Sequence, residues 1–254
     1  MRLTRTPKNL TVLVLAIPEL DDVMKVLNQF QGSMDLTAFE FFSDKAMRKV
    51  LARGDVPAPF DSSADFYALI EFEAVTDADM DLSMSLFEQC VENGWVVDGV
   101  ISQSETQAAN LWRLREDISE TISEWTPYKN DISVVVSKVP PFLNDIDEIV
   151  TREYPDFEII WFGHIGDGNL HLNILKPDAL AKEEFFERCA KVSKWVFEIV
   201  QKYDGSVSAE HGVGMTKKPY LEYTRSAAEL AYMKAVKAVF DPNNVMNPGK
   251  LVDL

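Results

Sequence analysis

The chain contains three histidines, His164, His171 and His211, and all three lie in two short segments, WFGHIGDGNLHLNI (161–174) and SAEHGVG (208–214). Imidazole both ligates metals and moves protons near neutral pH, so this concentration points to chemistry. In the first segment, apolar and β-prone residues run up to Gly166, and Asp167-Gly168 is the dipeptide that closes two-residue type I′ turns. A hairpin closed there sets Gly166 against Asn169, Ile165 against Leu170 and His164 against His171. Opposed Cβ atoms stand roughly 4.5–5.5 Å apart, close enough for two rings to converge on one metal ion. Asn173 follows His171 by two and shares its face, because strand side chains alternate. Glu210 and His211 add a carboxylate and a third imidazole just before a Gly-x-Gly turn. Together these residues can form a metal site with an acid/base beside it.

Each feature alone has a plainer reading. A single strand histidine is usually a hydrogen-bonded structural residue, and a Gly-Asp-Gly turn marks a hairpin only. What favours function is the combination: a register that faces two histidines, a Glu-His pair elsewhere, and no other histidine in the chain.

Length and composition set the frame. At 254 residues the chain can bury a sizeable core, as one large domain or two small ones. Hydrophobic residues at 46% and charged residues at 26% are ordinary for a globular protein. The net charge of −16 argues against a nucleic-acid or anionic-membrane surface, and an anionic substrate would need a local positive patch. Cys90 and Cys189 are isolated, so neither a disulfide framework nor a cysteine zinc site is indicated, and a reducing cytoplasm fits. The opening MRLTRTPKNLTVLVLAIPEL places basic residues before a short apolar run. With no small-x-small cleavage site and an acidic helix directly after it, that run reads as a buried strand. No stretch approaches a transmembrane span.

These residues need elements to hold them. Residues 10–17 form a strand, Glu19 to Gln31 a helix with apolar residues at helical spacing, and 36–43 a second strand. A loop containing Pro57 and Pro59 leads to a third strand over 66–75. A helix from about Asp77 to Asn93 stops at Gly94, and a fourth strand covers 95–102. This β-α-β-β-α-β order is the ferredoxin-like split, and the expected class is α+β, an antiparallel sheet with flanking helices. Residues 103–125 read as one continuous helix capped by Ser104, with Arg115 and Ser119 on one face. A strand over 128–139, a helix starting at Pro140-Pro141, the hairpin over 157–176 and a helix over about 182–202 follow. SVSAE reads as a short strand, and Lys217 to Phe240 as helical with a break near Thr224. No Gly-rich dinucleotide fingerprint or P-loop occurs; GHIGDGN joins two strands and does not open a helix.

The segments GHIGDGNLHLN, SAEHGVGMTK and VFDPNNVMNPGKL resemble the C-terminal substrate domain of FAD-linked oxidases of the vanillyl-alcohol-oxidase-like superfamily. LTAFEFF, WVVDG, LWRLREDISE and PYKNDISV are most similar to the D-2-hydroxyglutarate dehydrogenase branch. The resemblance spans essentially all of residues 1–254 and implies an FAD-binding domain before residue 1, with RLTRTPKNLTV at the junction. It further implies that His164, His171 and Glu210 bind a divalent metal, zinc, and that His211 is the base. Arg115, Lys129 and Asn173 match substrate contacts, and Ser119 stands where a threonine is usual. Read without the resemblance, Arg115 and Lys129 are solvated charges.

The chemistry so implied is coherent. Two imidazoles and a carboxylate leave zinc an open position where a 2-hydroxy acid can chelate. Neutral His211 takes the hydroxyl proton while C2 delivers hydride to the flavin. Glu210 and His211 are neighbours and would face oppositely in a regular strand, so a bend eased by Gly212 is expected. The favoured substrate is D-2-hydroxyglutarate, with D-lactate or glycolate as the alternative. Expected partners are the hydroxy acid, the flavin domain, an electron acceptor such as an electron-transfer flavoprotein or a quinone, and a second copy in a homodimer. A non-catalytic metal-binding module is the reading from a different class.

Overall fold

The computed structural model describes residues 5–254. Residues 1–4, which include the start of the expected domain junction, lie outside the described residues. In chain order the elements are β1 (Leu10–Ile17), α1 (Leu20–Gln31), β2 (Leu36–Ser43), α2 (Asp44–Ala52), β3 (Phe66–Glu73), α3 (Asp77–Glu92) and β4 (Asp98–Ile101). Next come α4 (Glu105–Glu116), α5 (Ile118–Thr121), β5 (Tyr128–Ser133), α6 (Val139–Glu153), β6 (Glu158–His164) and β7 (Asn169–Leu175). The chain finishes with α7 (Lys182–Lys202), α8 (Gly214–Lys217) and α9 (Ala227–Phe240). It divides into two compact units, one of residues 1–127 and 159–167, the other of 128–158 and 168–254.

The first unit carries the expected antiparallel split. Strands β4, β1, β3 and β2 are neighbours in that order, with β3 between β1 and β2 and antiparallel to both. Strand β6 adds to β2 through Phe41 opposite Gly163 and Phe42 opposite Phe162. Every residue of β1 from Thr11 to Ile17 is buried, so this strand is covered on both faces, as its unbroken apolar run requires. Helices α1 and α4 both pack against it. On α1, Leu20, Val23, Val26, Leu27 and Phe30 are buried at helical spacing, each side chain contributing roughly 1.5–3 kcal/mol by leaving water. The Asp79 carboxylate accepts the backbone N–H groups of Val75 and Thr76 and caps α3, and Gly94 at φ +74° ends that helix.

Three expectations are corrected here. DKAMRKVLA, read within a loop, is the helix α2, stabilised by burying Ala46, Met47 and Val50 on one stripe. The expected continuous helix over 103–125 is segmented: α4 ends at Glu116, α5 is one turn, and a 3₁₀ turn runs over Ile122–Trp125. Its N-cap holds, since the Ser104 hydroxyl accepts the Gln107 N–H at 3.2 Å. Strand β4 is shorter than 95–102.

In the second unit β5 pairs antiparallel along its whole length with residues 169–174 of β7, and α7 packs against β5 and α6. Strand β5 stops at Ser133, short of the expected 139. SVSAE is not a strand; it contributes one isolated bridge, Ser206 to Ser133. The helical stretch after Lys217 is a 3₁₀ turn over Lys218–Tyr223 followed by α9. Both cysteines are free and buried, and burial pushes the Cys90 thiol up to about 11 and the Cys189 thiol to about 12. No helix among the described residues is long and apolar enough to cross a membrane.

Candidate functional site

In the second unit the β5–β7 ladder collects polar side chains on one face. Its register sets Lys129 opposite Asn173, Asp131 opposite His171 and Ser133 opposite Asn169. Alternation places all six on the same side, a cation, a carboxylate, an imidazole, a hydroxyl and two amides. Asp131 and His171 are buried, at 5% and 9% exposure, where an ionisable side chain needs a partner. The Asp131 Oδ1 lies 3.6 Å from His171 Nδ1, beyond hydrogen-bonding length, and makes no hydrogen bond although it is buried.

The other oxygen of Asp131 settles how two neighbours can act together. Oδ2 accepts the backbone N–H of Glu210 at 2.9 Å and of His211 at 2.8 Å. Ala209 N–H bonds to the Asp131 carbonyl at 3.2 Å, so this segment is laid along β5. Two successive N–H groups on one oxygen curl the backbone, and Gly212 at φ +79° continues the reversal. The expected bend is therefore present, and Asp131 holds it. As a result both Glu210 and His211 reach the same place: Glu210 Oε1 is 3.7 Å from His171 Nε2 and 3.7 Å from His211 Nε2. The rings of His171 and His211 lie near parallel, 17° apart, with centroids separated by 5.7 Å.

One ligand atom from each of Asp131, His171, Glu210 and His211 lies within 4.8 Å of the others. Two ligands on a tetrahedral zinc of radius about 2.1 Å stand about 3.4 Å apart, close to these spacings. The unsatisfied carboxylate oxygen and the mixed nitrogen and oxygen donors also suit a divalent cation, so the residues present fit a metal. Lys129, across from Asn173, is exposed, and partial desolvation lowers the pKa of its amine. Asn173 is buried and its Nδ2 donates to the His171 carbonyl at 3.2 Å. Behind the ladder, Lys217 donates to Asn130 Oδ1 and sits 4.6 Å from the Phe197 ring centroid. Burial pushes its amine down to about 8, against an opposing pull from the Asp131 charge.

In the first unit, His164 has a different neighbour. The β2–β6 register, continued one step, sets Glu40 across from His164, and His164 Nδ1 lies 2.7 Å from Glu40 Oε1. Arg115, in the last turn of α4, donates Nε–H to Glu40 Oε2 at 3.0 Å, with its guanidinium 4.7 Å from the Phe162 ring centroid. Arg115 is thus buried and ion-paired, not the solvated charge of the plainer reading. Ser119, one turn on in α5, is exposed. An open pocket of ≈ 300 Å³ beside this group is lined by Leu27, Thr37, Phe39, Glu40, His164 and Asp167.

The turn between β6 and β7 differs from expectation. The strands stop at His164 and resume at Asn169, leaving a four-residue connection in which the Asp167 N–H bonds to the His164 carbonyl at 3.1 Å. Only Gly168 has positive φ, +78°, whereas a type I′ turn needs it at both central residues. The expected two-residue type I′ turn is therefore not formed at Asp167-Gly168. Glu40 and Asp131 were missed in the sequence. The available signal was a charge inside an apolar strand, LTAFEFF in one case and NDISVVV in the other, since buried acids need partners.

Residues 6–251 match the family described as FAD linked oxidases, C-terminal domain. The chain is 70% identical over 251 residues to the D-2-hydroxyglutarate dehydrogenase of Stutzerimonas stutzeri, covering 99% of this chain and 54% of that protein. It is 49% identical over 253 residues to the D-2-hydroxyglutarate dehydrogenase of Xanthomonas citri pv. viticola, covering 100% of this chain and 53% of that one. Among solved structures, 4-ethylphenol oxidase from Gulosibacter chungangensis is similar in fold, with a TM-score of 0.65 at 12% identity, covering 98% of this chain and 55% of that one. The chain spans about half the length of the curated relatives it matches.

Proposed function

Because the chain belongs to the family of FAD-linked oxidase C-terminal domains, we propose that it is the substrate- and metal-binding half of a flavin-dependent D-2-hydroxy-acid dehydrogenase, with D-2-hydroxyglutarate as the favoured substrate. The observation that carries this reading is the convergence of Asp131, His171, Glu210 and His211 in a fold of that family. The dehydrogenases at 70% and 49% identity support the choice of substrate.

In this reading His164, His171 and Glu210 hold the metal, zinc, and His211 is the base. Zinc supplies Lewis-acid withdrawal that lowers the pKa of a bound hydroxyl, and FAD, held mainly by residues outside this chain, is the hydride acceptor. His211 is suited to accept the proton: its side chain is 66% exposed, and its backbone is pinned by Asp131. Glu210 is also pinned through its N–H, so its carboxylate and the His211 ring are presented together. Arg115 and Lys129 supply positive charge to substrate carboxylates in an otherwise acidic chain, Arg115 with a planar guanidinium suited to bidentate pairing. Asn173 and Ser119 add a short amide and a hydroxyl for the remaining polar atoms of the acid. The electrons pass on to an acceptor such as an electron-transfer flavoprotein or a quinone, and a homodimer and a cytoplasmic location belong to the same reading.

The test is metal analysis of the purified chain, alone and with D-2-hydroxyglutarate added. Close to one zinc per chain, lost in His171→Ala and held more tightly with the hydroxy acid, is the expected result. A chain that binds no divalent cation under either condition overturns the metal assignment.

A further inference from the structure

Strand β2 carries one acid among aromatic residues, Glu40 between Phe39 and Phe41, and it is 5% exposed. A carboxylate buried to that degree is stable only when its oxygens are matched by donors. Both are matched: Oε2 receives Arg115 Nε–H at 3.0 Å, and Oε1 faces His164 Nδ1 at 2.7 Å. An ionised carboxylate only accepts, so in the neutral imidazole the proton of this bond sits on Nδ1 and Nε2 keeps its lone pair. The same carboxylate fixes the plane of the guanidinium, which the Phe162 ring supports from one side.

We propose that Glu40 is a positioning residue that orients two functional groups at once, locking His164 in the Nδ1–H form so that Nε2 is the nitrogen presented to a metal, and seating the Arg115 guanidinium for a substrate carboxylate. The inference rests on the reading of His164 as a metal ligand and Arg115 as a substrate contact. It adds the residue that ties them. Ligating histidines commonly place their second nitrogen on a carboxylate, and loss of that partner costs about 10–100-fold in metal affinity.

Glutamine at position 40 keeps the shape but offers one accepting oxygen, so it cannot serve both Nε–H of Arg115 and Nδ1–H of His164. Its amide must turn its N–H₂ toward one of them. The charged guanidinium takes the oxygen, and His164 then moves its proton to Nε2, which blocks that nitrogen.

Nitrogen-15 NMR of histidine-labelled chain, with His164 assigned by substitution, reads this directly without metal. The wild-type chain should show His164 with its proton on Nδ1, and an Nε2–H form overturns the proposal even if Glu40→Gln fails to fold. Glu40→Gln should move the proton to Nε2 and weaken zinc binding by about 10–100-fold in a titration. The double variant Glu40→Gln/Arg115→Met frees the glutamine oxygen for His164 and should restore both the Nδ1–H form and most of the zinc affinity. A folded Glu40→Gln chain with unchanged His164 signals and unchanged affinity sinks the proposal. A wild-type chain with the expected tautomer but no zinc binding instead sinks the metal reading and leaves the role of Glu40 toward His164 standing.

Discussion

Asp131 stands directly across the β5–β7 ladder from His171, with Oδ1 3.6 Å from the imidazole Nδ1, while its Oδ2 accepts the N–H groups of both Glu210 and His211. One buried carboxylate therefore orders a pair of adjacent residues that are 79 and 80 positions away in the chain. Its removal should act on metal binding and on loop order separately.

Asp131→Asn keeps an oxygen for the two N–H groups but turns an amide toward His171. Stability should change little, while zinc affinity falls by about tenfold or more. Asp131→Ala also releases the two N–H groups and should cost about 1–3 kcal/mol in urea unfolding. Equal zinc affinity in wild type and Asp131→Asn would remove Asp131 from the site.

His171→Ala and His211→Asn should separate ligand from base. Zinc is expected to be lost in the first and kept in the second. In an enzyme that also carries the flavin half, His211→Asn should lower kcat by roughly 10²–10⁴, the usual worth of a positioned general base. Loss of zinc in His211→Asn with retention in Glu210→Gln would exchange the roles of these two neighbours.

Gly168→Ala tests the connection between β6 and β7. Gly168 has φ +78°, and an added Cβ would collide with the Val134 carbonyl oxygen. Gly212 has nearly the same φ, +79°, with open space around it. Thermal unfolding should show Gly212→Ala losing about 1–2 kcal/mol from conformation alone, and Gly168→Ala losing clearly more. Equal losses would show that the Val134 contact relaxes without cost.

Lys217 gives a pH signature. Burial lowers its amine from 10.5 to about 8 in the folded chain. Between those values the unfolded chain binds the extra proton, so stability against urea should rise as pH increases from about 8 to 10.5 and be flat just below that window. Lys217→Met should flatten this rise. A wild-type stability that falls across the window would contradict the buried state of the amine.

The local rules of the chain were legible without coordinates. The unbroken apolar run LTVLVLAI marks a strand covered on both faces, the stripe from Leu20 to Phe30 marks a helix, and Gly94 marks the end of α3. These follow from periods of two and 3.6 residues and from glycine's access to positive φ. The order of strands and helices pointed to the antiparallel split, and residue types alone singled out His164, His171, Glu210 and His211. Short-range reading failed where tertiary contacts decide. Helix α2 is nine residues long and too short to stand by periodicity, and is stabilised by burial. The break after Glu116 and the four-residue turn before Asn169 depend on packing that no local pattern records. Glu40 and Asp131 looked like charges in strands, because nothing nearby in sequence names their partners. Their partners are Arg115 and His164, 75 and 124 residues away, and Glu210 and His211, 79 and 80 away. Only strand register and a folded-back loop bring such donors to a buried carboxylate, and the cost of leaving that charge unmatched is what makes the arrangement specific.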